Sequence, residues 1–310
     1  VKSKQQLNIT TMSDFFTEVR AIVLSNATKA EKINKLVKDL KCSRYDANKY
    51  YTLVQYVEGE QIAAKDNHRR FTLGIEIECY NIDKNLISTA LSEYGIQSIV
   101  TGYNHNDQKK AYKLGSDGSI DGYNSCEVVS PILRSLNTLK KVCKVLNDNE
   151  ARVNRSCGLH VHFGAESFTI KQWQRIIVNY AIIEPIIDSF MPQSRRANNN
   201  RYCKSIINIA RNIKDANITS FNDLIQIFNS DRYYKLNIMS FVNHKTIEFR
   251  QHQGTTNFEK INQWVKFLSA LINHSLNNTE LITATTIDEL PFLTASQKKF
   301  FNDRKNLFNE

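Results

Sequence analysis

Three short stretches of this chain set acid, imidazole and guanidinium groups two residues apart. In Phe71-Thr72-Leu73-Gly74-Ile75-Glu76-Ile77-Glu78, acidic and apolar side chains alternate after Gly74. Gly158-Leu159-His160-Val161-His162-Phe163 alternates two imidazoles with apolar residues. Thr246-Ile247-Glu248-Phe249-Arg250-Gln251-His252 sets Glu248, Arg250 and His252 against Ile247 and Phe249. A period of two belongs to a β-strand, whose successive side chains point to opposite faces. On that spacing Glu76 and Glu78 share a face roughly 7 Å apart. His160 and His162 share a second face, and Glu248, Arg250 and His252 a third. Any one of these is ordinary for a half-buried strand with one side in water. Together they are harder to read that way. Exposed faces of a Lys-rich chain should collect Lys and Thr, yet these hold Glu, His and Arg with no Lys. If the strands lie in one sheet, their polar faces form a cup that repels itself without cations. Carboxylate oxygens suit Mg²⁺, and added imidazole admits Mn²⁺. There are more carboxylates than one Mg²⁺ needs, which points to two or more ions bridging phosphates.

Two further stretches fit the same chemistry. Gly115-Ser116-Asp117-Gly118-Ser119-Ile120-Asp121-Gly122 is a turn-rich loop feeding Ser125-Cys126-Glu127-Val128-Val129-Ser130-Pro131, in which Glu127 faces away from Val128. Asp-Gly is also a plain turn dipeptide, so Asp117 and Asp121 have a purely conformational explanation as well. Ser194-Arg195-Arg196-Ala197-Asn198-Asn199-Asn200-Arg201-Tyr202-Cys203 offers three guanidinium forks for carboxylate or phosphate oxygens, or forms a solvated surface loop.

The elements that must hold these groups follow from patterning. Residues 12–65 read as helical. Ser13 and Asp14 open a first helix, Thr28-Lys29-Ala30-Glu31 is a capping box, and Ser43-Arg44-Tyr45-Asp46 caps a third helix running to Tyr56. The texture changes at His68-Arg69-Arg70. Beyond it, strands are expected at 71–80, 96–101, 126–130, 158–163, 236–241 and 246–252. Helices are expected at 86–94, 135–147, 169–190, 222–229, 258–277 and 296–306. That mixture predicts an α+β fold with a mainly antiparallel sheet. The expected division is a helical segment at 1–67, a catalytic domain at 68–280 and a helical extension at 281–310.

Composition narrows the class. The 310 residues carry 41 Lys+Arg against 31 Asp+Glu, a net charge of +10, with 41% apolar residues. This is long enough to bury a core without disulfides. The charge favours anionic partners and says nothing of fold. No apolar run reaches the ~18 residues of a membrane span. The opening Val1-Lys2-Ser3-Lys4 leads into polar sequence, so a protein that is not secreted is expected. Six cysteines without a CxxC pair suggest a reducing, cytoplasmic compartment. The richness in Asn, Lys and Ile hints at a viral or low-GC bacterial source.

The order Gly74-Ile75-Glu76-Ile77-Glu78, Asp117-Gly118-Ser119, Glu127 to Pro131, Cys157 to His162, Ser194-Arg195-Arg196 with Arg201-Tyr202-Cys203, and Thr246 to His252 resembles the amidoligase family. That family belongs to the carboxylate–amine ligases related to glutamine synthetase and glutamate–cysteine ligase. The resemblance covers roughly residues 70–278. It implies a twisted antiparallel sheet forming half a funnel, with ATP and two or more Mg²⁺ or Mn²⁺ ions inside. It implies ATP-dependent joining of a small-molecule or peptide carboxylate to an amine through an acyl phosphate. By this resemblance Glu76, Glu78, Glu127, His160 and Glu248 are metal ligands and His162 lies near the nucleotide phosphates. Arg250 stabilises the transferring phosphoryl. Arg196 and Arg201 hold phosphate or the substrate carboxylate. Asp117 and Ser119 face the substrates, with Asp117 as proton acceptor, and Arg195 binds substrate. The acceptor loops are where such enzymes differ most, so the resemblance gives a reaction type and not a product.

Two other readings stand beside it. Cys157, His160 and His162 with a glutamate could serve a metal-dependent hydrolase, although Cys-x-x-His-x-His is a poor tetrahedral zinc spacing. Alternatively, helices around Glu31–Leu40 and Arg44–Tyr56, joined by Lys41-Cys42-Ser43, could form a helix-turn-helix. Lys29, Lys32, Lys35, Lys38 and Lys41 would then form a basic row, making residues 28–56 a nucleic-acid or adaptor module. Trp173, Trp264 and the Ile doublets at 176–177, 182–183 and 186–187 are expected in the core.

Overall fold

The computed structural model describes residues 12–51, 54, 71–101 and 110–308, without the side chains of residues 12–14, 16 and 215. The expected boundary at residues 68–70, the capping side chains of Ser13 and Asp14 and the last turns of the third helix fall outside them. The chain divides into two compact units, 1–66 and 67–310.

In the first unit, α1 spans Met12–Leu24 and α2 spans Lys29–Leu40. A third helix, α3, is described over residues 44–51. Thr28 and Glu31 form the capping box expected of them, satisfying amides that the first turn leaves unpaired. Val19, Ile22 and Val23 of α1 pack with Ile33 and Leu36 of α2, Ala47 of α3 and Val54 in one buried cluster.

The second unit is built on one sheet of seven strands: β1 (Leu73–Cys79), β2 (Ser98–Val100), β3 (Tyr112–Gly115), β4 (Cys126–Val129), β5 (Gly158–Gly164), β6 (Leu236–Asn237) and β7 (Thr246–Gln253). Their spatial order is β2-β3-β4-β1-β5-β7-β6. Every pairing is antiparallel except β2 with β3. The fold is therefore α+β, and the three strands with polar alternation, β1, β5 and β7, are central neighbours. The helices are α4 (Lys84–Glu93), α5 (Asn137–Asp148), α6 (Ile170–Ser189), α7 (Ile207–Asp215), α8 (Phe221–Ile227), α9 (Ser240–His244), α10 (Phe258–Asn277) and α11 (Ala295–Asn306).

One face of the sheet is buried by helices. Leu73, Ile75, Ile77 and Cys79 of β1 belong to one apolar cluster with Trp173, Ile176, Tyr180 and Ile183 of α6 and Trp264, Phe267 and Leu268 of α10. Fully burying each large aliphatic or aromatic side chain is worth about 1.5–3 kcal/mol, so this layer fixes which face of each strand is left for chemistry. Residues 281–310 continue this unit: Ile282, Ile287, Leu290 and Phe301 lie in the same cluster.

Local readings differ from the structure, which adds the unexpected helices α7 and α9. β3 was not expected. The strand expected at 236–241 stops at Asn237, whose Oδ1 accepts from Met239 N at 2.8 Å and turns the chain into α9. In β7 the register slips: Leu159 pairs with His252, but Val161 pairs with Phe249. That bulge gives β7 an extra residue and carries His252 to the helix-covered face. It therefore does not align with Glu248 and Arg250. His252 is 2% exposed, with its ring 5.6 Å from that of Trp264.

Candidate active site: an acidic cleft

Register brings the polar side chains of five strands onto one face. Glu78 of β1 lies opposite Glu127 of β4, and Glu76 lies opposite His160 of β5. His162 lies opposite Glu248 of β7, and Glu248 opposite Asn237 of β6. The result is a continuous acidic and imidazole floor in a cleft of about 570 Å³. Gly158 makes the convergence possible. A Cβ there would sit 2.8 Å from His160 Nε2 and 3.3 Å from both Arg195 and Glu78.

The contacts are close. His160 Nδ1 is 2.9 Å from Glu76 Oε2, and its Nε2 is 3.4 Å from Glu78 Oε1. Arg250 NH1 donates to Glu248 Oε1 at 2.6 Å, and Asn237 Nδ2 donates to Glu248 Oε2 at 2.5 Å. Gly158 N donates to Glu78 Oε2 at 2.5 Å. His162 Nδ1 bonds Thr246 Oγ1 at 3.0 Å. Its Nε2 is buried, 3.2 Å from Glu76 Oε1 and 3.9 Å from Glu248 Oε1, yet makes no hydrogen bond.

Burial disfavours charge on every one of these groups, and neighbouring charge decides where that penalty is overcome. Burial would raise Glu76, but His162 and His160 hold it well below the usual carboxylate range. Burial would also raise Glu248, and Arg250 with the two imidazoles pulls it down. Burial opposes charge on His162, and Glu248 and Glu76 overcome it, so its pKa is raised. Glu127 differs: although a donor atom of His160 lies within 4.8 Å, it is surrounded by four other carboxylates. Burial and the charges of Glu76, Glu78, Asp117 and Glu248 push it well above the normal range.

Among the described residues, three groups have donor atoms within 4.8 Å of one another: Glu76 with His162 and Glu248, Glu76 with Glu127 and His160, and Glu78 with Asp117 and Glu127. Shared members chain the three together. Mixed carboxylate and imidazole donors, with Glu127 crowded by other carboxylates, fit divalent cations of the Mg²⁺ or Mn²⁺ kind.

Of the residues singled out from sequence, Glu76, Glu78, Asp117, Ser119, Glu127, His160, His162, Arg195, Glu248 and Arg250 all line this cleft. Asp117 Oδ1 accepts from Ser119 N at 2.7 Å, closing the turn at the rim. Arg195 is 3% exposed; its NH2 donates to Cys157 O, and its Nε is buried without a partner. Two arginines lie elsewhere. Arg196 Nε donates to Met191 O at 2.7 Å, and its guanidinium lies 6.0 Å from the Phe308 ring. Arg201 is exposed and lies over Tyr202, to whose hydroxyl it donates at 2.6 Å. Cys157 belongs to none of the three donor groups, and burial raises its thiol. The six cysteines are free, and burial pushes Cys126 and Cys143 each to about 12.

Sequence reasoning missed several cleft residues. Lys113 faces it from β3, where Tyr112-Lys113-Leu114 alternates over too few residues to stand out. Arg232 and Tyr233 stack at 5.2 Å on the opposite side, from a loop with no periodicity. Asn237 reaches Glu248 from a two-residue strand.

Residues 69–272 match the sequence family described as "Putative amidoligase enzyme". No curated protein matches this chain. Among solved structures, a bifunctional glutathione synthetase from Pasteurella multocida is similar with a TM-score of 0.40 and 11% identity. The alignment covers 80% of this chain and 42% of that one, so this chain spans less than half the length of that neighbour. Among the described residues, no helix is long and apolar enough to cross a membrane.

Proposed function

Because the chain belongs to the amidoligase family, we propose that it is an ATP-dependent carboxylate–amine ligase. It would form an amide or isopeptide bond through an acyl phosphate, releasing ADP and phosphate. The observation that carries this reading is the cleft floor, where four glutamates and two histidines from four strands face the Arg250 guanidinium.

In this reading Glu76, Glu78, Glu127, His160 and Glu248 hold two or more Mg²⁺ or Mn²⁺ ions. Bound there, such ions supply charge neutralisation for the nucleotide phosphates. The rest falls to side chains. A carboxylate oxygen of the substrate attacks the γ-phosphorus, the bond to the bridging oxygen breaks, and ADP leaves. Charge grows on the transferring oxygens, and Arg250 is positioned for it, its fork oriented by the 2.6 Å bond to Glu248. His162 and Arg195, each with a buried nitrogen lacking a hydrogen-bond partner, hold phosphate oxygens. The amine then attacks the acyl carbon and phosphate departs. Asp117, at the rim, accepts the proton that the nitrogen loses. Ser119 beside it orients the substrate. Arg196 and Arg201 are given no role in this reading, since neither lines the cleft: Arg196 donates to Met191 O, and Arg201 to the hydroxyl of Tyr202, which does line it.

The reading is tested by incubating the protein with ATP, Mg²⁺ or Mn²⁺, and panels of carboxylates and amines. ADP would be followed continuously and products by mass. ADP release that needs both a carboxylate and an amine is the expected result. Nucleotide-independent cleavage of amides would replace the ligase with a hydrolase.

A further inference from the structure

The unit at residues 1–66 carries features that the ligase reading leaves unused. α2 ends at Lys41, which adopts a left-handed conformation with φ 51° and ψ 35°. A three-residue connection, 41–43, leads into α3. Ser43 caps α3: its Oγ accepts from Asp46 N at 3.0 Å and donates to Asp46 Oδ2 at 2.6 Å. A short turn with a left-handed residue between two helices is the connection of a helix-turn-helix, where glycine often stands. The inward side chains match that arrangement. Leu36 and Ala47 are fully buried, with Leu40, Cys42 and Tyr50 packed against them.

The outward face of α3 is polar and basic. Arg44, Tyr45, Asn48 and Lys49 lie on one side of the helix at the spacing of neighbouring turns, and all are exposed, Tyr45 by 78%. Residues 28–51 hold seven Lys or Arg against three Asp or Glu. Two of those acids are committed to caps, Glu31 to Thr28 and Asp46 to Ser43. The lysines of α2 do not form a row. Residues three apart fall about 60° short of a full turn, so Lys29, Lys32, Lys35 and Lys38 spiral around half the helix. α3 adds Arg44 and Lys49 on one exposed side. Lys29 joins it, its Nζ lying 5.4 Å from the Tyr51 ring.

We propose that α2 and α3 form a helix-turn-helix that binds duplex DNA, with the Arg44–Lys49 face of α3 in the major groove. Arg and Asn are the residues that match guanine and adenine edges, and lysines neutralise phosphates. The B-form major groove admits a helix, whereas the deep, narrow groove of A-form RNA does not.

The test uses the full chain and a fluorescently labelled 24-base-pair duplex of random sequence, titrated by anisotropy from 50 to 200 mM salt. Wild type should bind, with affinity falling steeply as salt rises. Arg44→Ala with Lys49→Ala should weaken binding about tenfold and lower the salt slope by roughly one, for the phosphate that Lys49 no longer neutralises. Tyr45→Ala is a second variant on the same face. Arg44 NH1 also donates to Asn34 Oδ1 of α2 at 3.0 Å, so Tyr45→Ala with Lys49→Ala, which leaves that bond intact, should weaken binding with thermal unfolding unchanged. Lys140→Ala with Lys141→Ala, exposed on α5, should bind as wild type. Three outcomes overturn the proposal: no binding at 50 mM salt, an equal loss in the α5 variant, or displacement of the duplex by polyglutamate at equal charge concentration. The last would make the face an acidic-protein surface instead.

Discussion

The two faces of the central sheet treat the same residue type in opposite ways. His162 on the cleft face is 9% exposed and His252 on the helix face is 2% exposed. Burial disfavours the imidazolium on both. His162 nevertheless has a raised pKa, because Glu248 and Glu76 face it. His252 is driven well below the ordinary value by burial and by the Arg304 charge, with its Nδ1 against Gln253 O at 2.7 Å. The glutamates repeat the lesson within one face. Glu76 is lowered by imidazoles that overcome its burial, and Glu127 is raised by burial and by the surrounding carboxylates. Burial opposes charge on each of these groups, and the neighbours decide whether it is overcome. The helix face is organised to fold, and the cleft face holds unbalanced charge that a cation would relieve.

Substitutions can break that contrast. The largest effect is expected from Glu78→Gln. As the direct ligand proposed for it, Glu78 should, when lost, cost metal-dependent nucleotide affinity more than the ~10–100-fold typical of losing an outer partner. Calorimetric titration with Mn²⁺ and a non-hydrolysable ATP analogue would measure it. Arg250→Lys should follow, lowering turnover on the order of 10²–10³-fold, since an ammonium cannot present a planar fork. Wild-type turnover in a steady-state assay would remove Arg250 from phosphoryl transfer. On the other face, Leu159→Ala should cost about 2–5 kcal/mol in denaturant unfolding while the variant, where folded, keeps its metal affinity.

Glu127→Gln sharpens the contrast by reversing the usual sign of a mutation. A carboxyl raised above its unfolded value favours folding at low pH, and that contribution disappears as pH rises through the folded value. At neutral pH without divalent cation, the variant should therefore melt above wild type, by roughly 2–4 °C per kcal/mol relieved. Excess Mn²⁺ should invert the order, because only wild type retains the full donor set. The smallest effect belongs to His252. Its depressed pKa contributes stability above about pH 6.5 that is lost on acidification. His252→Asn should flatten the acid limb of a melting-temperature profile between pH 7 and 5, and an unchanged profile would contradict the helix-face environment assigned to it.

The cleft was legible in the sequence wherever regular pleating carried it. Glu76 and Glu78, and His160 and His162, share a face because β1 and β5 keep a strict period of two. Legibility ended where the backbone departs from that period. The bulge in β7 separates His252 from Glu248 and Arg250, and a single extra residue leaves no trace in side-chain alternation. Loops were less readable still. Arg195, Arg196 and Arg201 are chemically alike in sequence, but the 3₁₀ turn at Gln193–Arg195 sends only Arg195 to the cleft. Lys113, Arg232 and Asn237 arrive from elements too short to show a pattern. Residues 70–278, picked out by motif order, nearly coincide with the 69–272 of the family match, because the motifs sit on the strands that form the floor.

The central claim is that the charge imbalance of the cleft face exists to be met by cations and nucleotide. It is tested most directly by thermal unfolding of wild type and Glu78→Gln, each with Mg²⁺ or Mn²⁺, with and without a non-hydrolysable ATP analogue. A rise in the wild-type midpoint that needs metal and nucleotide together, and is absent in the variant, is the predicted result. Equal midpoints under all conditions, or equal shifts in both proteins, would contradict it.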